Sequence, residues 1–375
     1  MIEKRRFHTL DALRFFAFLK VFLLHIPLQG EFPIFSFLKS GGGIGVSLFF
    51  VLSGFLITYL LVVEKINQGQ ISIKRFFLRR SFRIYPLFFF LVFIAFVLPY
   101  NFKQEIGMHM VGGGYELDWR YSFFFLENYK MLWMDNFPKT TPLSVFWSLC
   151  IEEHFYIVWM FAIFFLSVKR TLWFLIISIG IAWVGRYLDP IIWQNTMITQ
   201  NDLFTNIDYF AIGGILGFFV AKEYSKLVSK IQSISTNWKY TFIIAVIGLV
   251  IFQDQILPSD IFLLNIFRPT IIAIAFTLLI AIFIPEDSTI RIADNHVISY
   301  LGRISYGLYV YHILFVHIIF QYFIQHKIMM DDWLTVGGFM IAVFVGSVIV
   351  SMLSFRFLEK PFLDWRRKFL ITIKP

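Results

Sequence analysis

The chain has 375 residues, of which 58% are hydrophobic, 20% aromatic and 15% charged, whereas a soluble domain carries about a quarter charged residues. So little polar surface cannot cover 49 phenylalanines, which excludes a water-soluble globule and makes the bilayer the solvent for most of the chain. The net charge of +9 does not call for nucleic acid, because in a membrane protein the placement of charge matters more than its sum.

Met1-Ile2-Glu3-Lys4-Arg5-Arg6 opens like a secretory signal, but the apolar run behind it carries Arg14, Lys20 and His25 and lacks a small-residue cleavage site. It reads as an uncleaved first span. Apolar windows fall at about 12–28, 42–63, 84–100, 144–166, 171–188, 206–221, 240–253, 263–284, 304–325 and 333–355, predicting an all-α, polytopic helical bundle of ten spans. Tyr121 to Trp133 is apolar too, but Glu127, Asn128 and Lys130 make it a re-entrant or interfacial helix. With both termini cytoplasmic, the outer segments hold only Lys39, Lys103, Arg120, Lys130, Lys139 and Lys327, while most other basic residues fall inside. The long outer stretch 101–143 is expected to fold over or bind something. The chain ends soon after its last window, so one membrane-embedded domain over 1–375, with no extracytoplasmic domain, is expected.

Four segments carry candidate chemistry. In the first window Asp11 and Arg14 can pair at i, i+3, and His25 lies eleven residues after Arg14, on the same face and ~16 Å along the axis. Charges within a span face a cavity or a partner, so the alignment argues against an inert interfacial histidine. In the inner loop, Arg79 and Arg83 stand at i, i+4 with Arg80 alongside, at the mouth of the third span. They suit either a positive-inside anchor on anionic lipid or a bidentate grip on phosphates.

At the start of the fourth window come Trp147, Ser148, Glu152, Glu153 and His154. Ser148, Glu152 and Tyr156 share one side, and a carboxylate there could orient an imidazole, hold a sugar hydroxyl or simply hydrate the rim. In the ninth window Ser305, Tyr309 and His312 form a polar stripe at i, i+4 and i+7, for a ligand or for helix–helix bonding. Glycines 41–43, 45 and 54 fit a tight turn and close helix packing. The single cysteine, Cys150, rules out an intrachain disulfide and reads as a packed thiol.

Together these segments resemble the acyltransferase-3 family of bacterial membrane O-acyltransferases. The resemblance rests on six stretches in family order. They are Leu10-Asp11-Ala12-Leu13-Arg14 with His25; Gly45 to Phe55; Arg79-Arg80-Ser81-Phe82-Arg83-Ile84-Tyr85-Pro86; Trp147 to Tyr156; Ile304 to His312; and Leu358-Glu359-Lys360-Pro361-Phe362. Ser47 departs from the pattern, many members having Asp there, which bears on the class of acceptor.

The resemblance implies transfer of an acyl group, often acetyl, from acyl-CoA to a hydroxyl of a surface carbohydrate, lipid-linked sugar or related glycoside. The setting would be the bacterial cytoplasmic membrane, with membrane lipids as neighbours and no metal or nucleic acid. It ties Arg14, His25 and the arginines Arg79, Arg80 and Arg83 to activity. The expected roles are His25 as general base held by Glu152 or Glu153, the three arginines on the CoA phosphates, and Trp147, Ser148, Tyr309 and His312 toward substrate. The other class considered is a transporter or flippase for lipid-linked sugars, whose charges would line a translocation path. The paired halves or broken helices often seen in such proteins are not evident in the sequence.

Overall fold

The computed structural model describes residues 5–372 apart from 6, 29, 110–112, 194–200, 259–260, 287 and 289. The windows are occupied by ten long helices: α1 (Leu10–His25), α2 (Ile44–Gln68), α3 (Ile73–Val97), α4 (Trp147–Phe165), α5 (Val168–Trp193), α6 (Leu203–Ser233), α7 (Thr236–Ile251), α8 (Phe262–Ile282), α9 (Ser305–Gln325) and α10 (Trp333–Ser354). A π turn, Phe355–Glu359, leads into a C-terminal helix α11 (Lys360–Thr372). No named strand forms among the described residues. The protein is an α-helical membrane bundle, and among the described residues eight helices are long and apolar enough to cross a bilayer.

The other two, α1 and α7, are 16 residues each, about 24 Å at 1.5 Å per residue. For α1 the surroundings explain the composition. Ala12, Phe18, Val21 and Phe22 are all buried, and α2, α9 and the short helix Val297–Arg303 pack against it. An enclosed helix meets protein on most sides, so its charges have partners there. Lys20, for example, donates to the carbonyls of Leu38 and Ser40 at 2.6 and 2.8 Å.

Helices α2 and α6 cross most closely, for a steric reason. A methyl at Gly213 or Gly217 would lie 2.2 Å from the Val51 carbonyl oxygen or 2.3 Å from that of Phe55. The reciprocal Gly54 faces the Phe210 backbone at 2.1 Å. The spacing of Gly213 and Gly217 is the small-residue pattern that lets membrane helices touch backbone to backbone. Beside this crossing, Arg186 of α5 and Asp208 of α6 form a fully buried ion pair. Thr270 of α8 also donates to Asp208, and Arg186 donates to the Ile266 carbonyl at 2.9 Å.

The outer stretch folds into the short helices Tyr100–Glu105, Trp119–Phe123 and Glu127–Met134. Glu127 is buried there, accepting from Tyr115 at 2.6 Å and Ser122 at 2.9 Å. Burial holds its carboxyl above the ordinary carboxylate range. Leu143, Val145 and Phe146 are buried too, so α4 starts inside the bundle.

Candidate active site

The elements α1, α2, α3, α4 and α9 surround a cavity that opens to the outside. Its polar lining is Arg14, Ser53, Arg80, Arg83, Ser148, Glu152, Tyr156, Ser305, Tyr306 and Tyr309. With Arg14 paired to Asp11, Arg80 and Arg83 against the one lining carboxylate, Glu152, leave it cationic, which suits an anionic ligand.

Each arginine has a distinct setting. Arg14 pairs with Asp11 at 2.7 Å, as the i, i+3 spacing predicted. Arg83 is exposed at the rim, and Arg80 lies over the Tyr156 ring at 5.3 Å with its Nε unbonded. Among the described residues no carboxylate comes within ion-pair distance of Arg80 or Arg83. Arg79 is different. It pairs with Glu64 of α2 at 2.7 Å and does not line the cavity, so the expected trio reduces to a pair plus Arg14. Spacing along α3 could not reveal a partner contributed by another helix. Arg366 of α11, part of no motif in the sequence, donates to the Arg79 carbonyl at 3.4 Å.

Glu152 accepts from Ser53 at 2.8 Å and Tyr156 at 3.2 Å. Glu153 is buried behind it, with Tyr85 at 3.4 Å and its Oε1 unbonded. Neither carboxylate bonds to His25 among the described residues, contrary to the expected base–carboxylate pair. The residue that meets His25 is His312, whose Nε2 lies 3.3 Å from His25 Nδ1. His25 Nδ1 is also 2.9 Å from the Val21 carbonyl, and His312 Nδ1 is 3.2 Å from the Leu308 carbonyl. A carbonyl only accepts, so in the neutral rings both Nδ1 atoms carry the hydrogen. His25 Nε2 is thereby left with a lone pair, and His312 Nε2 accepts from His25.

The histidine pair adjoins the cavity through a short chain of contacts. Ser148 and Tyr309 share a hydrogen bond of 2.7 Å, and the Tyr309 and His312 rings are 5.9 Å apart. Trp147 does not line the cavity; it packs both on the main core and on the outer-segment cluster of Tyr115 and Met131. His154 stacks on Tyr129, with ring centroids 5.4 Å apart. Cys150 is fully buried. No group of three or more His, Cys, Asp or Glu side chains able to hold a metal occurs among the described residues.

The profile of an acyltransferase domain, that of the acyltransferase-3 family, matches residues 7–353. The chain belongs to the acyltransferase-3 family. Its curated relatives include the O-acetyltransferase OatA of Staphylococcus aureus strain NCTC 8325, 27% identical over 96% of this chain and 58% of the relative. A putative O-acetyltransferase of S. aureus strain MRSA252 is 26% identical over 96% of this chain and 59% of the relative. The chain thus spans under two thirds of the length of these relatives. No solved structure matches.

Proposed function

We propose that this chain is a membrane O-acyltransferase that moves an acetyl group from acetyl-CoA to a hydroxyl of a surface carbohydrate or lipid-linked sugar. The observation that carries the reading is the placement of Arg80 and Arg83, without carboxylate partners, in a cavity whose wall residue Tyr309 adjoins the His312–His25 pair. The names of the relatives, which are O-acetyltransferases, point the same way. The ten helices would all span the bacterial cytoplasmic membrane, with both termini in the cytoplasm and the chain acting as one membrane-embedded unit.

In this account the CoA phosphates rest on Arg83 and Arg80, whose forked donors match phosphate oxygens. The pantetheine arm runs along the cavity past Arg14 and Glu152 toward Tyr309. The acceptor hydroxyl approaches from the opposite end of the bundle, where α1 ends at His25. His25 Nε2 takes the hydroxyl proton as its oxygen bonds to the thioester carbon. The C–S bond then breaks, and the thiolate of CoA leaves and is protonated by the imidazolium. Ser148 and Tyr309, bonded to each other and to the Val145 carbonyl, offer hydroxyl oxygens near this point that can accept from the acceptor sugar. His312 holds the base through the Nδ1–H it accepts.

Release of free thiol from acetyl-CoA by the purified protein, dependent on added envelope polysaccharide, tests the reading. A flippase for lipid-linked sugars would release none. Mass analysis of surface glycans from cells with and without the protein would identify the acceptor.

A further inference from the structure

A second polar cavity, open to the outside, lies between α2, α6, α8 and the short helix Gln253–Ile256. Its lining includes Ser47, Tyr209, Gln253, Asn265 and Arg268. All stand near the ends of their helices that share a side with His25: the starts of α2, α6 and α8, and the chain just beyond α7. Arg80 and Arg83 lie toward the other end of the bundle. Arg268 is already paired with Asp254 at 2.5 Å, so it contributes donors with little net charge.

Gln253 is only 3% exposed, yet its amide nitrogen has no hydrogen-bond partner. A buried amide donor left unbonded is costly, so it calls for an acceptor from outside the chain. The wall between this cavity and α1 is thin. It is the Gly41-Gly42-Gly43 turn, where Gly41 abuts the Gln253 amide and Gly42 abuts Leu24, the neighbour of His25. Gly41 has a φ of +61°, and side chains at 41 and 42 would strike those neighbours. At Gly43 a methyl would meet nothing within 4 Å. Glycine is therefore not required at 43 for packing, and the space beside it is open to a ligand.

Resting on the acyl-transfer reading above, we infer that this cavity is a binding subsite for a sugar unit of the acceptor, on the side of the bundle opposite the arginine mouth. Two side-chain amides, two hydroxyls and a neutralised guanidinium offer donors and acceptors together, which is the complement of a polyhydroxyl ligand. A bare phosphate would call for unpaired positive charge, and Arg268 is not unpaired. The bound unit would present a neighbouring part of the glycan across the glycine turn toward His25.

Gly43→Cys tests this directly, because the native Cys150 is fully buried and leaves the new thiol as the accessible one. In membranes holding the full chain, a membrane-impermeant maleimide should label Gly43→Cys and leave the wild type unlabelled. Envelope polysaccharide from cells lacking the protein should slow that labelling several-fold, and acetyl-CoA should not. In parallel, Gly43→Leu and Asn265→Ala should raise the KM for that polysaccharide about tenfold, ~1.4 kcal/mol, with the KM for acetyl-CoA unchanged. Unslowed labelling, in membranes whose wild-type protein acetylates the polysaccharide, overturns the subsite while leaving the enzyme reading intact. Slowed labelling without any acetyl transfer keeps a glycan site and overturns the enzyme reading. Neither effect overturns both.

Discussion

His312 Nε2 and His25 Nδ1 are 3.3 Å apart, and the carbonyl bonds of both rings set the hydrogen on His25 Nδ1. The two residues therefore differ in kind. His25 has the available lone pair, while His312 is fully buried. Replacing His25 with Ala should lower turnover by ~10²–10⁴, the range for a lost general base. His312→Ala should cost less, about 10–100-fold, as for an outer partner that orients a catalytic ring. His312→Gln should recover part of it by restoring an acceptor for the His25 hydrogen. Turnover by each variant at saturating acetyl-CoA checks this, and equal losses for Gln and Ala would remove the orienting role.

The arginines should separate by binding. Arg83→Ala or Arg80→Ala should weaken acetyl-CoA binding by ~1.5–3 kcal/mol, the worth of a charged hydrogen bond. Lys at either position should restore only part of it. Arg79→Ala breaks the Glu64 pair and should leave acetyl-CoA affinity within about twofold. Calorimetric titration of the purified variants distinguishes these outcomes.

The α2–α6 crossing predicts a sharp contrast between glycines. Gly213→Ala and Gly217→Ala push a methyl into a facing carbonyl and should lower the melting temperature clearly. Gly180→Ala meets open space, so it should be neutral or stabilising by up to ~1 kcal/mol. Thermal unfolding in detergent, followed by far-ultraviolet circular dichroism, provides the comparison.

The Arg186–Asp208 pair is fully enclosed. Arg186→Met strands a buried carboxylate and should destabilise by ~3–5 kcal/mol. The double variant Arg186→Met with Asp208→Leu removes both charges and should regain much of that loss. Loss of folded protein with the single change, and its recovery with the double, would be visible by size-exclusion chromatography.

The helices were legible in the sequence because long apolar runs leave the backbone no alternative in lipid. Boundaries drifted where polarity changed within a helix. The window 206–221 became Leu203–Ser233, since the chain continues helical through its charged end past a bend at Glu223. Pairing along one helix, as at Asp11 and Arg14, was also readable from spacing. Partners across helices were not. Glu64 captures Arg79, Ser53 captures Glu152, and His312 reaches His25, all through packing that periodicity does not encode. Gln253 carried no sequence signal beyond being a polar residue at the end of an apolar window.

The most direct test of the account is a single-turnover measurement with acetyl-labelled CoA, purified protein and envelope polysaccharide. The wild type should move the label to the polysaccharide with one thiol released per acetyl transferred. His25→Ala should bind acetyl-CoA normally and transfer almost none. Near-normal transfer by a folded His25→Ala protein would contradict the account.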